Sequence, residues 1–271
     1  MNVEIVSVQN PRVKEWAQLL ERRGRDKQGK YLIEGIHLVE EAIQAGAPVR
    51  TIVYQLEKGR PPSLEKASPA HVEWVGVSAP VMEKCSDTQT PQGVLAVVDK
   101  ACGTAEEILA ASGSLVVVVD GVQDPGNLGT IIRSADAVGA SGVLLGAGTV
   151  DLYNPKTIRS TMGSLFHLPI VEGDLLELLP AARDLGVQLL STSLQADKSC
   201  YEVDLRKPTW IIVGNEAKGV SAEAGAFATE QVIIPMQGKA ESLNVAMAAT
   251  VLLFEASRQR YYPPQINSYE M

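Results

Sequence analysis

The sequence is poor in the residues that most often carry metal and covalent chemistry. It has three cysteines and three histidines in 271 residues. Cys85, Cys102 and Cys200 form no C-x-x-C pair and are odd in number, so neither a disulfide framework nor a zinc site is expected. Free thiols suit a reducing compartment. His37, His71 and His167 share no ligand spacing, and none lies beside a serine or cysteine in a nucleophile motif. Metal and acyl-transfer chemistry therefore have no support. No apolar run approaches the ~20 residues of a membrane span, and Met1-Asn2-Val3-Glu4 does not begin a secretory signal. The expectation is a soluble cytoplasmic chain with no membrane and no metal partner. Aromatics are only 5 %, so aliphatic side chains must build the core.

What is present is an alternation of apolar runs and helical patterns, which favours an α/β class. Residues 1–100 read as a small α/β unit. A helix is expected from Asn10 to about Arg22, a charged loop from Gly24 to Gly29 and a strand at Tyr31–Glu34. A helix then spans Ile36–Ala45, with further strands at Val49–Leu56, His71–Val77 and Val94–Val98. The proline-bearing stretch Gly59–Pro69 is expected to be a loop. Residues 101–114 are small and polar and read as a linker, with one possible short helix at Ala105–Ala111. Residues 115–271 form the second unit. Its strands are expected at Leu115–Val119, Gly142–Leu145, Leu168–Val171, Val187–Thr192, Trp210–Val213 and Val232–Pro235. Its helices are expected at Asn127–Val138, Leu175–Leu185 and Leu243–Gln259. Strands alternating with helices imply a mainly parallel sheet.

The net charge is −8, yet it is unevenly spread. Residues 12–30 hold Arg12, Lys14, Arg22, Arg23, Arg25, Lys27 and Lys30 against three anions, a local +4 that leaves −12 for the rest. Such a patch can contact phosphates on an otherwise acidic protein. It reads equally well as a solvated helix end and loop.

Three segments stand at strand ends. Asp124-Pro125-Gly126-Asn127-Leu128-Gly129-Thr130-Ile131-Ile132-Arg133 joins a buried strand to a helix, where backbone N–H groups bind anions well. Asn127 stands where a P-loop needs lysine, and G-x-G-x-x-G is absent. Spacing alone makes Arg133 a surface cation. Ile211-Ile212-Val213-Gly214-Asn215-Glu216-Ala217-Lys218-Gly219 puts Asn215 and Glu216 at a strand's carboxyl end, where α/β sheets bind ligands; a plain turn fits as well. Ile233-Ile234-Pro235-Met236 through Glu241-Ser242-Leu243-Asn244-Val245-Ala246 ends a strand in a polar loop. There Ser242 can cap the last helix, and the plain reading is that Ser242 and Asn244 merely satisfy its first N–H groups. Leu243, Met247, Thr250 and Phe254 share a face and read as core, apart from Leu243 at the loop edge.

Together these segments resemble the SpoU/TrmH group of the SPOUT RNA 2′-O-ribose methyltransferases. The first resembles the family's Asn-Pro-Gly-Asn-x-Gly…Arg motif, with Asp124 in place of the first Asn. The second resembles its Gly-Asn-Glu-x-x-Gly motif, and the third its Ile-Pro-Met…Glu-Ser-Leu-Asn-Val-Ala motif, in the family's order. Pro11-Arg12-Val13-Lys14 and Tyr31-Leu32-Ile33-Glu34-Gly35 resemble the substrate-binding domain of the rRNA-directed members.

The resemblance implies a parallel sheet with a C-terminal trefoil knot, preceded by a smaller α/β RNA-binding domain. It implies S-adenosylmethionine as cofactor, RNA, and 23S rRNA in particular, as substrate, and a homodimer. Cofactor contacts would fall at Thr192, Gly214, Asn215, Ile234, Met236 and Leu243. Arg133 would be the central catalytic residue, with Asn127, Glu216, Ser242 and Asn244 orienting the ribose and the loops. A guanidinium keeps its proton at neutral pH, so phosphate anchoring and alkoxide stabilisation suit Arg133 better than base catalysis. Arg12, Lys14, Arg22, Arg23, Arg25 and Lys30 would contact RNA. A tRNA-directed methyltransferase and a silent RNA-binding module of the same fold are the alternatives.

Overall fold

The structure, a computed structural model, describes residues 3–101, 103–110 and 113–262. Met1, Asn2, Cys102 and Ala111, which enter the sequence-based expectations, lie outside them. The chain runs β1 (Val3–Ile5), α1 (Pro11–Gln18), α2 (Arg22–Gln28), β2 (Lys30–Glu34), α3 (Ile36–Gln44), β3 (Val49–Gln55), α4 (Pro62–Ala67), β4 (Glu73–Val77), α5 (Ala79–Cys85) and β5 (Val94–Asp99). It continues α6 (Ala105–Leu109), β6 (Leu115–Asp120), α7 (Pro125–Ala137), β7 (Gly142–Leu145), α8 (Pro155–Thr161), β8 (Ile170–Glu172), α9 (Leu175–Asp184) and β9 (Gln188–Thr192). It closes with β10 (Thr209–Gly214), α10 (Ala222–Gly225), β11 (Glu230–Val232) and α11 (Val245–Tyr261). Two compact units result. One holds the chain up to residue 102 together with Asp151–His167; the other holds Gly103–Val150 and the chain from Leu168 onward.

The first unit is a mixed sheet in the order β1-β4-β3-β5-β2, parallel through β1, β4 and β3, with β5 antiparallel to β3 and β2. Val13, Trp16 and Leu19 pack with Val53, Val75, Val77, Val81 and Met82 in one core. Asn10 caps α1 by accepting from the Arg12 amide at 2.9 Å, and Pro11 fills the first turn, where its missing N–H costs nothing. The expected loop at Gly24–Gly29 is instead α2. Gly24 is buried against the end of α1, and a β-carbon there would lie 1.9 Å from the Gln18 carbonyl oxygen. This glycine therefore serves close packing, not a turn. The expected loop at Gly59–Pro69 contains the short helix α4, and a second short helix, α5, follows β4; each has proline in its first turn.

The largest departure from expectation is Asp151–His167, which includes α8. It belongs to the first unit and not to the second. Its side chains explain why. Tyr153 packs on Tyr31 with ring centroids 4.5 Å apart, Arg159 pairs with Asp87 at 2.8 Å, and His167 meets Glu41 at 3.0 Å. The Asp151 carboxylate receives the guanidinium of Arg25.

The second unit is a six-stranded sheet, β11-β9-β10-β6-β7-β8, with every pairing parallel. Val116 through Val119 are fully buried, as a strand covered on both faces requires. Each such side chain contributes roughly 1.5–3 kcal/mol. The expected linker is partly folded: Thr104 and Glu107 form a reciprocal capping box on α6, and Ile108 enters the core beside Val116, Val118 and Trp210. On α11 the buried face is Ala246, Ala249, Leu252, Leu253 and Ala256. Met247 and Phe254, expected in the core, are 48 % and 52 % exposed. Helix α11 packs on α7, where the Ser134 and Thr250 hydroxyls bond at 2.7 Å. The strands expected at 168–171 and 232–235 run instead over Ile170–Glu172 and Glu230–Val232. Among the described residues no helix is long and apolar enough to cross a membrane.

Candidate functional site

The site lies within the second unit, where its parallel strands run out into loops. Strand β10 ends at Gly214, where no side chain fits: a β-carbon would lie 2.0 Å from the Gly219 carbonyl carbon. Asn215 and Gly219 exchange both backbone hydrogen bonds at 2.9 Å, closing a tight loop over Glu216, Ala217 and Lys218. The Asn215 Oδ1 accepts from the Ala217 and Lys218 amides at 3.0 and 3.1 Å, and its Nδ2 donates to the Gly121 carbonyl at 2.9 Å. Both the turn reading and the placement at a strand end hold for this residue.

The loop presents Glu216 to the junction before α7. Its carboxylate accepts from the Gln123 amide at 3.1 Å, the Asp124 amide at 3.0 Å and the Asn127 Nδ2 at 3.0 Å. Two amides just before α7 are thus occupied by the protein's own carboxylate, and the Asn127 amide within its first turn by that of Asp124 at 2.9 Å. Burial alone would raise the Glu216 pKa, but these hydrogen bonds outweigh it and hold the group below the usual glutamate range. It stays ionised at neutral pH. Asn127 passes the chain of bonds on, its Oδ1 accepting from the Asn244 Nδ2 at 3.0 Å. Asn244 Oδ1 in turn caps α11, accepting from the Ala246 and Met247 amides at 2.9 and 3.3 Å. Of the two residues expected to serve the helix start, Ser242 and Asn244, it is Asn244 that caps α11.

Beside this network opens a cavity of about 690 Å³, within the usual size range for small-molecule sites. Its walls come from the ends of β9, β10 and β11 and the start of α11. All six residues expected to contact a cofactor line it: Thr192, Gly214, Asn215, Ile234, Met236 and Leu243. Glu216 and Ser242 line it too. Ile234, Met236, Leu243 and Val245 offer an apolar surface, while Thr192, Ser193, Asn215 and Lys218 offer polar groups. That set of groups fits S-adenosylmethionine, whose flat aromatic base can stack on apolar side chains while its ribose and charged amino-acid end need polar partners. Sequence reasoning passed over Ser193, Gln195 and Lys218; the last sits two residues beyond Glu216 in a motif already singled out.

Arg133 is not brought into this network. It stands exposed on α7, outside the cavity lining, with no hydrogen bond or ion pair among the described residues. The basic segment of the first unit also divides. Arg25 is 2 % exposed and is removed from any surface role. Arg12 is tied to Glu73 and lies over the Trp16 ring at 5.1 Å. Arg22 shares Asp26 with Lys100. Lys14, Arg23 and Lys27 are exposed, and Lys30 is half-buried. Among the described residues no group of three or more His, Cys, Asp or Glu could hold a metal ion.

Comparison with known proteins finds two family matches along the chain. Residues 114–254 match the SpoU rRNA Methylase family and residues 10–96 the MRM3-like substrate binding domain. A 23S rRNA guanosine 2′-O-methyltransferase of Bacillus subtilis, RlmP, is 39 % identical over 93 % of this chain and 98 % of its own length. A 23S rRNA uridine 2′-O-methyltransferase of Streptomyces viridochromogenes is 35 % identical over 94 % of this chain and 92 % of its own. The crystal structure of an AdoMet-bound rRNA methyltransferase from Sinorhizobium meliloti superposes with a TM-score of 0.86 at 34 % identity, covering 94 % of this chain and 97 % of that one.

Proposed function

Because the chain belongs to the SpoU rRNA methylase family, we propose that it methylates a ribose 2′-hydroxyl of 23S rRNA, using S-adenosylmethionine, in the cytoplasm. The observation that carries this reading is the cavity at the strand ends, lined by all six expected cofactor positions and flanked by the Glu216–Asn127–Asn244 network. When bound, the cofactor supplies an electrophilic methyl group. The protein's own residues do the rest. Gly214 and the Asn215–Gly219 loop form one wall of the cavity. Glu216, held by two amides, fixes the orientation of Asn127, which positions the ribose together with Ser242 and Asn244. Positioning of this kind can supply much of the rate. Arg133 lies six residues beyond Asn127 on α7, ~9 Å along the helix axis. From there, outside the cavity, it anchors a neighbouring phosphate and so holds the RNA in place for transfer.

The first unit supplies the rRNA contacts, through the exposed Lys14, Arg23 and Lys27 together with Arg22, Arg12 and Lys30. The tRNA-directed alternative has less support, since residues 10–96 match a substrate-binding domain named for an rRNA enzyme. The silent-module alternative leaves the preserved network without a purpose. We further read the chain as a homodimer whose knotted second unit pairs through α11, where Met247, Phe254 and Tyr261 recur at seven-residue intervals and are exposed.

The test is direct. Purified protein, labelled S-adenosylmethionine and rRNA from cells lacking the gene should give one ribose-methylated nucleotide in the 23S molecule. Incorporation into tRNA alone, or none with any RNA while the cofactor binds, would overturn the assignment.

A further inference from the structure

The cavity wall contains one charge that methyl transfer leaves without a task. Of the residues lining it, only Glu216 and Lys218 are ionisable. Glu216 already accepts three hydrogen bonds within the protein. Lys218 is exposed, and its ammonium makes no hydrogen bond or ion pair among the described residues. Its backbone, by contrast, is fixed. The Lys218 amide donates to Asn215 Oδ1 at 3.1 Å, the loop is closed by the Asn215–Gly219 pair, and Asn215 is itself tied to Gly121. A lysine on a rigid loop, beside a cavity whose described lining holds no other cation, is a pre-placed anchor for an anionic group.

S-adenosylmethionine carries one anionic group, the α-carboxylate of its amino-acid end. We propose that Lys218 binds this carboxylate and so selects cofactors that retain the amino-acid end. An RNA phosphate is the competing occupant. It is disfavoured because Arg133, free and outside the cavity, is available to phosphate, whereas a ligand held among Thr192, Gly214 and Leu243 has only Lys218 as ionic partner. The inference rests on the cofactor occupying this cavity.

Calorimetry on the full chain separates the possibilities. The probes are S-adenosylhomocysteine and 5′-methylthioadenosine, which share the adenosine thioether but differ in the amino-acid end. Lys218→Gln should weaken S-adenosylhomocysteine about five- to tenfold, as expected for a charge-assisted contact that water partly screens. It should leave 5′-methylthioadenosine unchanged. Lys218→Arg should restore most of the affinity, and raising salt should weaken S-adenosylhomocysteine more steeply in wild type than in Lys218→Gln. Equal weakening of both ligands would mean that the loop is merely disturbed and would overturn the proposal. So would unchanged S-adenosylhomocysteine binding with weaker RNA binding, which assigns Lys218 to phosphate. Failure of the underlying placement has a different signature. A bulky Ala248→Trp in the cavity wall, folded by circular dichroism, would then bind both ligands as wild type does.

Discussion

Replacing Arg25 with glutamine tests how the charge in residues 12–30 is used. The Arg25 side chain is 2 % exposed and that of Asp151 10 %. Its Nη1 donates to the Leu19 and Leu20 carbonyls at 2.9 and 2.8 Å, its Nε to Asp151 Oδ2 at 3.0 Å, and its Nη2 to the same oxygen. The other Asp151 oxygen accepts from the Tyr153 amide at 3.0 Å. Arg25→Gln leaves a carboxylate nine-tenths buried without its cation. Breaking a buried pair from one side costs ~3–5 kcal/mol. Total stabilities of domains are ~5–15 kcal/mol, so the cost is a fifth or more of what holds such a unit together. With a urea slope of ~2 kcal/mol per molar, the unfolding midpoint should fall by ~2 M. Tryptophan fluorescence suits the assay, since Trp16 and Trp74 lie in the first unit and Trp210 in the second. The double variant Arg25→Met with Asp151→Asn should recover part of the stability, because no unpaired charge remains. A shift under ~0.3 M urea at unchanged slope would refute the reasoning. If RNA affinity fell instead, Arg25 would return to the surface.

Three further outcomes follow from the same geometry. Arg22, Arg23 and Lys27 changed together to glutamine should weaken RNA binding with unfolding unchanged. The slope of log affinity against log salt should flatten by up to ~0.7–0.9 for each phosphate no longer neutralised; equal slopes in a filter-binding salt series would make the cluster a solvated face. Arg133→Ala should abolish methyl transfer in single turnover with cofactor affinity nearly intact, and Arg133→Lys should remain poor because a point charge cannot reproduce the planar fork. Phe254→Asp should shift the protein to monomer in light scattering, since it places a charge in the exposed apolar row of α11; a wild type that is already monomeric and active would end the dimer reading.

How much of this was legible depends on the range of the forces involved. Val116–Val119 needed no partner to be read as a strand, because a run apolar on both faces is a local signal. Short helices such as α4 and α8 gave no such signal: at six and seven residues they are too brief for a period of 3.6 to repeat. Gly24 looked like a loop residue because its close neighbour, the Gln18 carbonyl, becomes visible only once α1 is in place. The excursion Asp151–His167 was least legible of all. Its bonds to Arg25 and Glu41 each span 126 residues of sequence, and nothing within the segment names those partners.

The site poses a different problem, because its residues were open to a bland and a functional reading at once. Asn244 looked like a helix cap, and it is one; yet it is also the last link of the Glu216–Asn127 chain. An amide has both an acceptor and donors. Asn244 uses its Oδ1 on the Ala246 and Met247 amides and its Nδ2 on Asn127. The two roles therefore sit on different atoms and can be separated by substitution. Asn244→Asp keeps the acceptor, and aspartate caps helices about as well as asparagine. Its charge at the start of α11 also suits the helix dipole. It has no N–H for Asn127, however, and it sets a carboxylate against the Asn127 Oδ1. Stability should thus change by only a few tenths of a kcal/mol, while single-turnover methyl transfer falls at saturating cofactor. Asn244→Ala should lose both, with about 1 kcal/mol of stability gone from the cap. If Asn244→Asp transfers methyl groups at the wild-type rate, the bond to Asn127 has no part in the reaction, and Asn244 is a cap alone.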